Sequence, residues 1–300
     1  MTTVSTVAIA GASGFLGSAF ARHLTSEGLA VRRIGRRSSR GVDFHWDLNA
    51  GLLDPAALDG ADAVINFAGA TIAQRWTREH KQEILTSRVR STEVLAKTMA
   101  AVQTPPEVFL ATSAIGFYGS RGDELLDESS SPGTGFLVEV VQQWERAAAP
   151  ARDAGVRVVY PRMGLVMHPD GGALAKLLPV FNLGGGGKIG SGRQWMTWIG
   201  MHDALRALQF LMVTDARSGP VNVCAPNPVT NAQFSHTLGE VLHRPALATV
   251  PEFAVKLMFG EMGEETLLSG QRVSPKCLLG AGFRFDFPEL GPALHHELGK

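Results

Sequence analysis

The sequence predicts an α/β fold: a doubly wound parallel sheet followed by a smaller, partly helical C-terminal lobe. In the first half, short apolar segments rich in β-branched residues alternate with longer segments of helical periodicity. A glycine-rich turn joins the first strand-like segment to the first helical one. The second half is less regular. We therefore expect a sheet domain in residues 1–165, to which later segments return, and a lobe in residues 166–300.

Composition excludes several classes of protein. The 300 residues are 45% hydrophobic and carry 28 basic and 28 acidic side chains. This balance leaves no surplus of basic side chains, which argues against a nucleic-acid partner. The two cysteines, Cys224 and Cys277, lie far apart, which argues against a disulfide framework or a cysteine zinc site, and we predict no metal site. Residues 1–6 lack the basic start of a signal peptide, and no apolar run reaches the ~18 residues of a membrane span. We expect a cytoplasmic protein without membrane contact.

The predicted elements of the first half follow from the spacing of apolar residues and from the residues that end each segment. Continuous apolar runs of four to six residues are typical of a parallel sheet covered on both faces. The strands predicted in this way are Thr6–Ala10, Ala30–Gly35, Ala63–Asn66, Val108–Thr112 and Val156–Tyr160. Helices are predicted at Phe15–Glu27, Thr77–Val102 and Phe136–Ala154, and glycine follows the first and third of them.

In the second half we expect helices at Asp203–Val213, Pro251–Gly260 and Pro288–Leu298. Another helix should start after Thr230, where threonine and a glutamine three residues later have the spacing of a capping box. The glycine run that ends at Lys188, Gly184–Lys188, is predicted to be a flexible loop. It could act as a lid whose lysine meets an anionic substrate, or it could simply be a solvated loop.

The most informative motif is the turn that contains Gly11, Gly14 and Gly17, because it follows a predicted strand and opens a predicted helix. Glycine lets the backbone approach a pyrophosphate, and the helix N-terminus offers N–H groups and partial positive charge to that anion. The turn therefore indicates dinucleotide binding, with a purely structural tight turn as the alternative. The contacts predicted for the whole turn are Gly11, Ala12, Ser13, Gly14, Phe15, Leu16 and Gly17.

The end of the second strand indicates which dinucleotide binds. An NAD site tends to place a carboxylate there, whereas this chain has Arg36, Arg37 and Ser38. Guanidinium groups suit a 2′-phosphate in geometry and charge, so we predict NADP, with a solvated basic turn as the alternative. Further along, Asp47 and Leu48 could lie near the adenine, although a lone aspartate is often only a turn residue. The small residues of Phe67–Gly69 could let the ribose approach.

These segments, together with others along the chain, resemble the extended and atypical short-chain dehydrogenase/reductases of the sugar-nucleotide epimerase type. More narrowly, the sequence is similar to the branch known as epimerase family proteins. The segments that carry this resemblance are Asn66–Ala70, Arg75–Thr77, Lys81, Ser87–Arg88, Ser113–Gly119, Gly192–Trp195, Trp198–Ile199 and the C-terminal stretch from Pro251 to Phe283.

The resemblance implies a Rossmann domain, an NADP-type cofactor and a substrate lobe with its own terminal segment at 250–298. The substrate would be a small molecule, and the resemblance offers a sugar nucleotide as the candidate. We add to the predicted cofactor contacts the following residues: Arg88, Thr112, Ser113, Pro161 and Arg162. Arg162 could instead be a structural arginine paired with a carboxylate.

One part of the family pattern is missing. The wider family uses a serine or threonine and a Tyr-x-x-x-Lys step, in which tyrosine transfers a proton and lysine lowers its pKa. Here Phe136 and Val140 occupy the tyrosine and lysine positions, and Ala114 occupies the serine position. Tyr118 and Ser113 are the candidate catalytic replacements, although Tyr118 could equally be a packed aromatic side chain.

Two functions therefore stay open: an NADP(H)-dependent oxidoreductase or epimerase-like enzyme, and a non-catalytic NADP(H)-binding sensor or regulatory protein. The residues expected to line a substrate pocket are aromatic: Trp76, Phe117, Tyr118, Trp195 and Trp198. Tryptophans also commonly fill cores. Asp203 is expected to cap its helix rather than do chemistry, and His295–His296 to lie on a polar helix face.

Overall fold

A computed structural model describes residues 4–36, 41–214 and 217–300. The described strands are β1 (Thr6–Ala10), β2 (Ala30–Gly35), β3 (Phe44–Asp47), β4 (Leu52–Leu53), β5 (Ala63–Asn66), β6 (Val108–Ala111), β7 (Ser113–Ala114), β8 (Leu125–Leu126), β9 (Arg157–Met163), β10 (Leu165–Met167), β11 (Gly187–Ile189), β12 (Trp195–Met196), β13 (Trp198–Gly200), β14 (Gly219–Val223), β15 (Val229–Thr230), β16 (Ala248–Val250) and β17 (Arg272–Val273). The described α-helices are α1 (Phe15–Ser26), α2 (Arg78–Ala101), α3 (Phe136–Arg146), α4 (Ala149–Asp153), α5 (Gly172–Asn182), α6 (Met201–Val213), α7 (Asn231–Leu242), α8 (Glu252–Phe259), α9 (Lys276–Gly280) and α10 (Leu290–Leu298). Short 3₁₀ turns occur at Pro55–Ala57 and Ile115–Tyr118, and a π-helical turn at Gly263–Leu267.

Within the described residues, the central sheet has nine strands: eight in the order β14-β9-β6-β5-β1-β2-β3-β4, and β7, which pairs with β9. All its pairings are parallel except that of β3 with β4. The predicted α/β class with a mostly parallel, doubly wound sheet is therefore confirmed. Strand β14 comes from the second half of the chain and returns to the edge of this sheet.

Successive residues of the first strand show how the two faces are covered. Val7 and Ile9 pack into the core that α1 and α6 form, whereas Ala8 and Ala10 pack into the core that α2 forms. All four side chains are inaccessible to solvent. This alternation of contacts explains why the strand reads as an uninterrupted apolar run: each face is buried under helices.

The C-terminal lobe has its own core between α5, α7 and α10, with Trp198 of β13 among its buried residues. Helix α7 begins with the predicted capping box, in which Thr230 and Gln233 exchange side-chain and backbone hydrogen bonds. The lobe also reaches back to the sheet domain, because Glu265 accepts hydrogen bonds from the backbone N–H groups of Phe136 and Leu137. A carboxylate of the C-terminal segment thus caps α3.

Three local predictions need correction. The predicted helix 136–154 is broken into α3 and α4, and proline enters the second helix at its first turn. Part of the expected loop Gly184–Lys188 belongs to β11, because residues 187–189 pair with β16 some sixty residues later. Asp203 does not cap α6: Gly200 is the N-cap, and Asp203 lies buried in the first helical turn.

In the described parts of the chain, no helix is both long enough and apolar enough to cross a membrane.

Candidate functional site

The candidate site lies at the carboxyl edge of the sheet, where the segments that follow β1, β5 and β6 meet. Parallel strands bring their carboxyl ends to one edge, which is where open α/β sheets bind ligands. The backbone shows the convergence directly, because a Cβ atom placed on Gly11 would lie 2.8 Å from the backbone nitrogen of Ala68. The turn after β1 and the segment after β5 are therefore in contact.

The glycine turn has the geometry that its sequence requires. Gly11 has φ +74°, donates to the carbonyl of Ile34 at 3.1 Å, and accepts from the N–H of Gly14 at 2.9 Å. A Cβ on Gly17 would lie only 2.3 Å from the Gly11 carbonyl oxygen. Gly11 thus needs glycine for its conformation and close approach, and Gly17 needs it for helix-to-turn packing.

The N-terminus of α1 is suited to an anion. Gly14 is the N-cap in an extended conformation and has no side chain with which to cap the helix. The first turn of α1 contains no acidic residue, and Ser13 and Gly14 are exposed. The helix end therefore presents N–H groups and partial positive charge without a competing carboxylate from its own first turn. Beside this turn, the ring of Phe15 packs on the backbone of Gly171.

At the end of β2, Arg36 is exposed. Arg37 and Ser38, the other predicted contacts for a 2′-phosphate, lie outside the described residues. Asp47 ends β3, and its carboxylate accepts hydrogen bonds from the backbone N–H groups of Asn49 and Ala50 at 2.9 and 3.0 Å. The turn interpretation of Asp47 accounts for these contacts, and a role of Asp47 and Leu48 at an adenine stays a prediction.

The side chain of Arg88, on α2, extends to the same edge of the sheet and packs against Gly69. A Cβ on Gly69 would lie 3.1 Å from the guanidinium carbon of Arg88. The guanidinium donates to the carbonyls of Ala70 and Ile84 at 3.0 and 3.1 Å and lies 5.3 Å from the centre of the Trp144 ring. Burial lowers the pKa of Arg88 to about 10. None of the described acidic residues forms an ion pair with it, so its charge at neutral pH has no counter-ion in the part of the chain that the structure describes.

A second group of polar side chains lies farther along the edge and is fully interconnected. Arg162 donates two hydrogen bonds to the carboxylate of Glu145, at 2.8 and 2.9 Å, and a third to the Tyr118 hydroxyl at 3.2 Å. Ser113 also donates to Glu145, at 2.7 Å, and the Tyr118 hydroxyl donates to the side-chain oxygen of Asn222 at 2.7 Å. We call these five residues the buried polar network.

Four of the five network residues are closed to solvent, and the Glu145 side chain is 14% exposed. Tyr118 and Asn222 are completely buried, and Ser113 and Arg162 are 2% and 3% exposed. Burial raises the pKa of Tyr118 to about 12, although the charge of Arg162 and the hydrogen bonds to it oppose that shift. The Tyr118 hydroxyl therefore keeps its proton at neutral pH and donates it in the hydrogen bond to Asn222. The catalytic roles of Tyr118 and Ser113 stay predictions, and their hydroxyl groups already have partners.

The positions at which the family pattern expects tyrosine and lysine are covered by apolar side chains. Val140 is 2% exposed and shares a hydrophobic cluster with Trp76, Ile84 and Met262. Phe136 packs against that cluster, with its ring centre 5.1 Å from that of Trp76 in an edge-to-face arrangement. Met262 comes from the C-terminal segment, so both parts of the chain contribute to this apolar cluster.

The aromatic residues expected to share a substrate pocket are separated. Trp76 and Phe136 line a cavity of about 440 Å³ between the starts of α2 and α3. Trp198, by contrast, is completely buried and donates to the carbonyl of Asn227. The indole N–H of Trp195 donates to the carboxylate of Asp123, and the guanidinium carbon of Arg272 lies 4.6 Å from the centre of the Trp195 ring.

Phe117 lies elsewhere again. The guanidinium carbon of Arg162 is 3.4 Å from its ring centre, and Phe117 also lines a second cavity of about 250 Å³ beside Glu145 and Tyr160. Only Trp76 of the five expected residues lines the larger cavity. Local sequence cannot show such a separation, because the lobe's core and the sheet domain are both rich in aromatic residues.

The remaining residues predicted to contact the cofactor make contacts that hold neighbouring parts of the fold together. Thr112 donates its hydroxyl to the carbonyl of Asn66, which ties the ends of β5 and β6 together. Pro161 lies inside β9, opposite Val221 of β14. Asp203, expected only to cap a helix, accepts hydrogen bonds from the backbone N–H groups of Asp286 and Phe287 through its carboxylate. Cofactor contacts by Thr112 and Pro161 stay predictions.

Sequence reasoning missed Glu145 and Asn222. Glu145 follows Phe136 in the same amphipathic helix and looks like one more polar helix residue. Asn222 lies inside an apolar strand, and an amide there was the one signal available, because a buried amide requires partners. Their partners, Ser113, Tyr118 and Arg162, come from other elements.

Comparison with known proteins agrees with this geometry. Residues 7–224 match the profile of the NAD dependent epimerase/dehydratase family, and residues 250–297 match a domain of unknown function, DUF1731. This chain belongs to that epimerase family. The family match spans the glycine turn, Arg88 and the buried polar network, and the second match coincides with the predicted terminal segment at 250–298.

Relatives cover nearly the whole chain. An epimerase family protein of Mycobacterium bovis is 43% identical over 290 residues, which are 96% of this chain and 96% of the relative. The crystal structure of human epimerase family protein SDR39U1 with NADPH has a TM-score of 0.90 and 32% identity, covering 98% of this chain and 99% of the human one. A nucleoside-diphosphate sugar epimerase from Corynebacterium glutamicum has a TM-score of 0.81 and 35% identity, covering 99% of this chain and 59% of the other.

Proposed function

We propose that this chain is an NADP(H)-dependent oxidoreductase or epimerase-like enzyme that works without the family's tyrosine–lysine pair. The observation that carries the cofactor assignment is the glycine turn at the N-terminus of α1, where neither Gly11 nor Gly17 has space for a side chain. The NADPH bound by the human relative supports the choice of cofactor. In this proposal the helix N-terminus receives the pyrophosphate and Arg36 and Arg37 receive the 2′-phosphate.

Arg88 completes the anion site in this proposal. Its guanidinium lacks a carboxylate partner among the described residues and lies against Gly69 on the same edge as the glycine turn. A buried cation without a counter-ion is costly, so the negative charge of the cofactor would offset that cost. Arg88 would therefore bind NADP(H) by charge rather than by recognising a base.

Bound NADPH supplies a hydride. The chain's own residues then have two tasks, to hold the substrate and to exclude competing groups. The cavity beside Trp76 and Phe136 is the proposed place for the substrate, and solvent reaches it, so water can supply the proton that a reduction also consumes. We assign the buried polar network a positioning task, since each of its hydroxyl groups already donates to another member.

The substrate class suggested by relatives is a sugar nucleotide, after the name of the Corynebacterium relative. This part of the proposal rests on kinship rather than on any contact in the chain.

A second function, an NADP(H) sensor without turnover, is favoured by one observation. The apolar cluster of Trp76, Ile84, Val140 and Met262 occupies the place of the family's proton-transferring pair. In such a protein, partner proteins would detect cofactor binding through the C-terminal segment, which contributes Met262 to the cluster. Both functions require NADP(H) binding and differ in turnover.

Cofactor choice is tested by titrating NADPH and NADH into the wild-type chain and into the double variant Arg36→Ala plus Arg37→Ala. The proposal expects the double variant to lose at least about tenfold in affinity for NADPH, the scale of one charge-assisted contact, and little for NADH. Equal losses for the two cofactors would contradict the NADP assignment.

Turnover is tested separately in two assays: saturating NADPH with a panel of aldehydes and ketones that includes 4-carboxybenzaldehyde, and saturating NADP⁺ with sugar nucleotides. The enzyme proposal expects absorbance at 340 nm to fall with stoichiometric formation of alcohol in the first assay, or an epimerised or oxidised sugar nucleotide to form in the second. Tight NADPH binding with no reaction above that in buffer in either assay would favour the sensor.

A further inference from the structure

The cavity between the starts of α2 and α3 has a chemical character of its own. Its volume is about 440 Å³, within the range of small-molecule sites. Its apolar walls are Trp76, Leu85 and Phe136, and its charged groups are Lys81 and Glu261, with Arg78 as a second cation. It shares none of these residues with the glycine turn.

The walls favour a flat ring. Trp76 is 8% exposed, and its indole N–H donates to the carbonyl of Ile72 at 2.9 Å, so the orientation of the indole is fixed. The rings of Trp76 and Phe136 meet at 68° with centres 5.1 Å apart. Two aromatic surfaces at such an angle provide one face and one edge against which an aromatic ligand can pack.

The charges favour an acidic group on that ring. The Lys81 ammonium lies 4.3 Å from the centre of the Phe136 ring and donates to the carboxylate of Glu261 at 2.6 Å. Both partners are partly exposed, at 31% and 43%, and an ion pair of that kind holds its geometry only weakly. With Arg78 included, the described residues that line the cavity carry two cations and one carboxylate, so the net charge of this lining is positive.

Glu261 belongs to the C-terminal segment, whereas Lys81 belongs to α2. The Glu261 carboxylate therefore occupies, from within the chain, the place that the carboxylate of a ligand would take on Lys81. A ligand that brings its own carboxylate can replace Glu261 without leaving Lys81 unpaired.

We propose that this cavity binds a small aromatic carboxylate, with its ring packed against Trp76 and Phe136 and its carboxylate on Lys81 in place of Glu261. The claim rests on the proposed function in naming the occupant of the cavity assigned there to the substrate, and it replaces the sugar nucleotide suggested by kinship. Binding itself does not depend on turnover. If the chain is an oxidoreductase, the occupant is a substrate, and if it is a sensor, the occupant is a second ligand.

The experiment titrates 2-naphthoate and its neutral analogue 2-naphthamide into the full chain, followed by calorimetry and by quenching of tryptophan fluorescence. The proposal expects 2-naphthoate to bind at least about tenfold more tightly than 2-naphthamide, which corresponds to one charge-assisted contact. Lys81→Gln should remove that preference. Glu261→Gln should tighten 2-naphthoate several-fold, because the competing carboxylate is gone.

A matched control uses Glu264→Gln. Glu264 lies three residues further along the same segment, is exposed, pairs with Lys256 at 3.6 Å and does not line the cavity. This variant should bind 2-naphthoate like the wild type. The tightening by Glu261→Gln would then report the cavity rather than the general charge of the segment.

Several results would overturn the proposal: equal affinity for acid and amide, no binding of either, or weaker 2-naphthoate binding in Glu261→Gln. In those cases the ion pair only fastens the C-terminal segment to α2. UDP-glucose that displaces 2-naphthoate and binds more tightly would assign the cavity to a sugar nucleotide instead. NADPH affinity, measured on the same samples, should be unchanged in all three variants, so failure of this proposal and failure of the cofactor assignment are separable.

Discussion

The two halves of the sheet's carboxyl edge use polar groups in opposite ways. Around the glycine turn, the N-terminus of α1 lacks a capping side chain and Arg88 lacks a carboxylate partner among the described residues. In the buried polar network, Arg162 has a carboxylate with two hydrogen bonds, and Tyr118 both donates and accepts. Incomplete pairing marks a place where a ligand is expected, and complete pairing marks a structural element.

This contrast matters because both regions contain residues that family patterns associate with function. Ser113 and Tyr118 are predicted from sequence as candidates for catalysis, yet their hydroxyl groups are hydrogen-bonded within the network. Arg88 belongs to the predicted cofactor contacts with no stated role, and its geometry now gives the clearest reason to expect an anion. The pairing of each group, rather than its residue type, separates the two regions.

The largest effect is expected from removing the charge of Glu145. Glu145→Gln leaves the Arg162 guanidinium buried without its counter-ion, and losing one partner of a buried ion pair costs about 3–5 kcal/mol. The free energy of unfolding, measured in urea, should fall by about that amount, while the folded variant still binds NADPH. Glu139→Gln, at an exposed position on the same helix, should change stability little. A loss of NADPH affinity at unchanged stability would place Glu145 in the ligand site.

A smaller effect is expected at the glycine turn. Gly17→Ala would place a methyl group 2.3 Å from the Gly11 carbonyl oxygen, and the turn must shift to admit it. Overpacking of this kind costs about 1–3 kcal/mol, and since the shifted groups form the proposed pyrophosphate site, NADPH affinity should fall about 10- to 100-fold. Ser18→Ala, one residue further on, removes only a hydroxyl bonded to the Phe15 carbonyl and should bind normally. Wild-type affinity in Gly17→Ala would exclude the turn as the cofactor site.

The smallest effect concerns an exposed ion pair that contrasts with Arg162–Glu145. Hydrogen bonds from Lys276 and Ser129 lower the pKa of Asp127 to about 2. The pKa of Asp127 in the folded protein therefore lies below its value of about 3.9 in the unfolded chain. The stabilisation that the Asp127 carboxylate contributes is complete above about pH 4 and is lost as the pH falls through about 2.

Urea unfolding of the wild type and Asp127→Asn should therefore differ slightly at pH 5 and converge towards pH 2. High salt should shrink the difference, because exposed charges are screened. A difference that grows as the pH falls would reverse the assigned sign.

Much of the fold follows from local sequence, because its signals are local. The strand at Thr6–Ala10, the glycine turn and the capping box at Thr230 each depend on residues a few positions apart. The strand at Gly187–Ile189 does not, since its partner comes about sixty residues later. Glycine composition alone predicts a loop there, and only the pairing makes it a strand.

The site divides in the same way. Gly11, Gly17 and the missing tyrosine–lysine pair could be predicted because each is a motif at fixed spacing. The buried position of Tyr118 could not, because its partners Arg162 and Asn222 are 44 and 104 residues away. Which polar groups are already paired is a property of tertiary contacts, and no period in the sequence encodes it.

The central claim is that groups without a charge partner or a helix cap bind the cofactor, whereas groups with complete pairing hold the fold. The most direct test measures NADPH affinity and urea stability side by side for Arg88→Gln and Tyr118→Phe. Arg88→Gln should lose about 10- to 100-fold in affinity, the scale of a charge-assisted contact, and keep its stability within about 1 kcal/mol. Tyr118→Phe should keep its affinity and lose about 1–3 kcal/mol of stability, because Asn222 loses its buried donor. The reverse pattern, with affinity lost in Tyr118→Phe and unchanged in Arg88→Gln, would contradict the account.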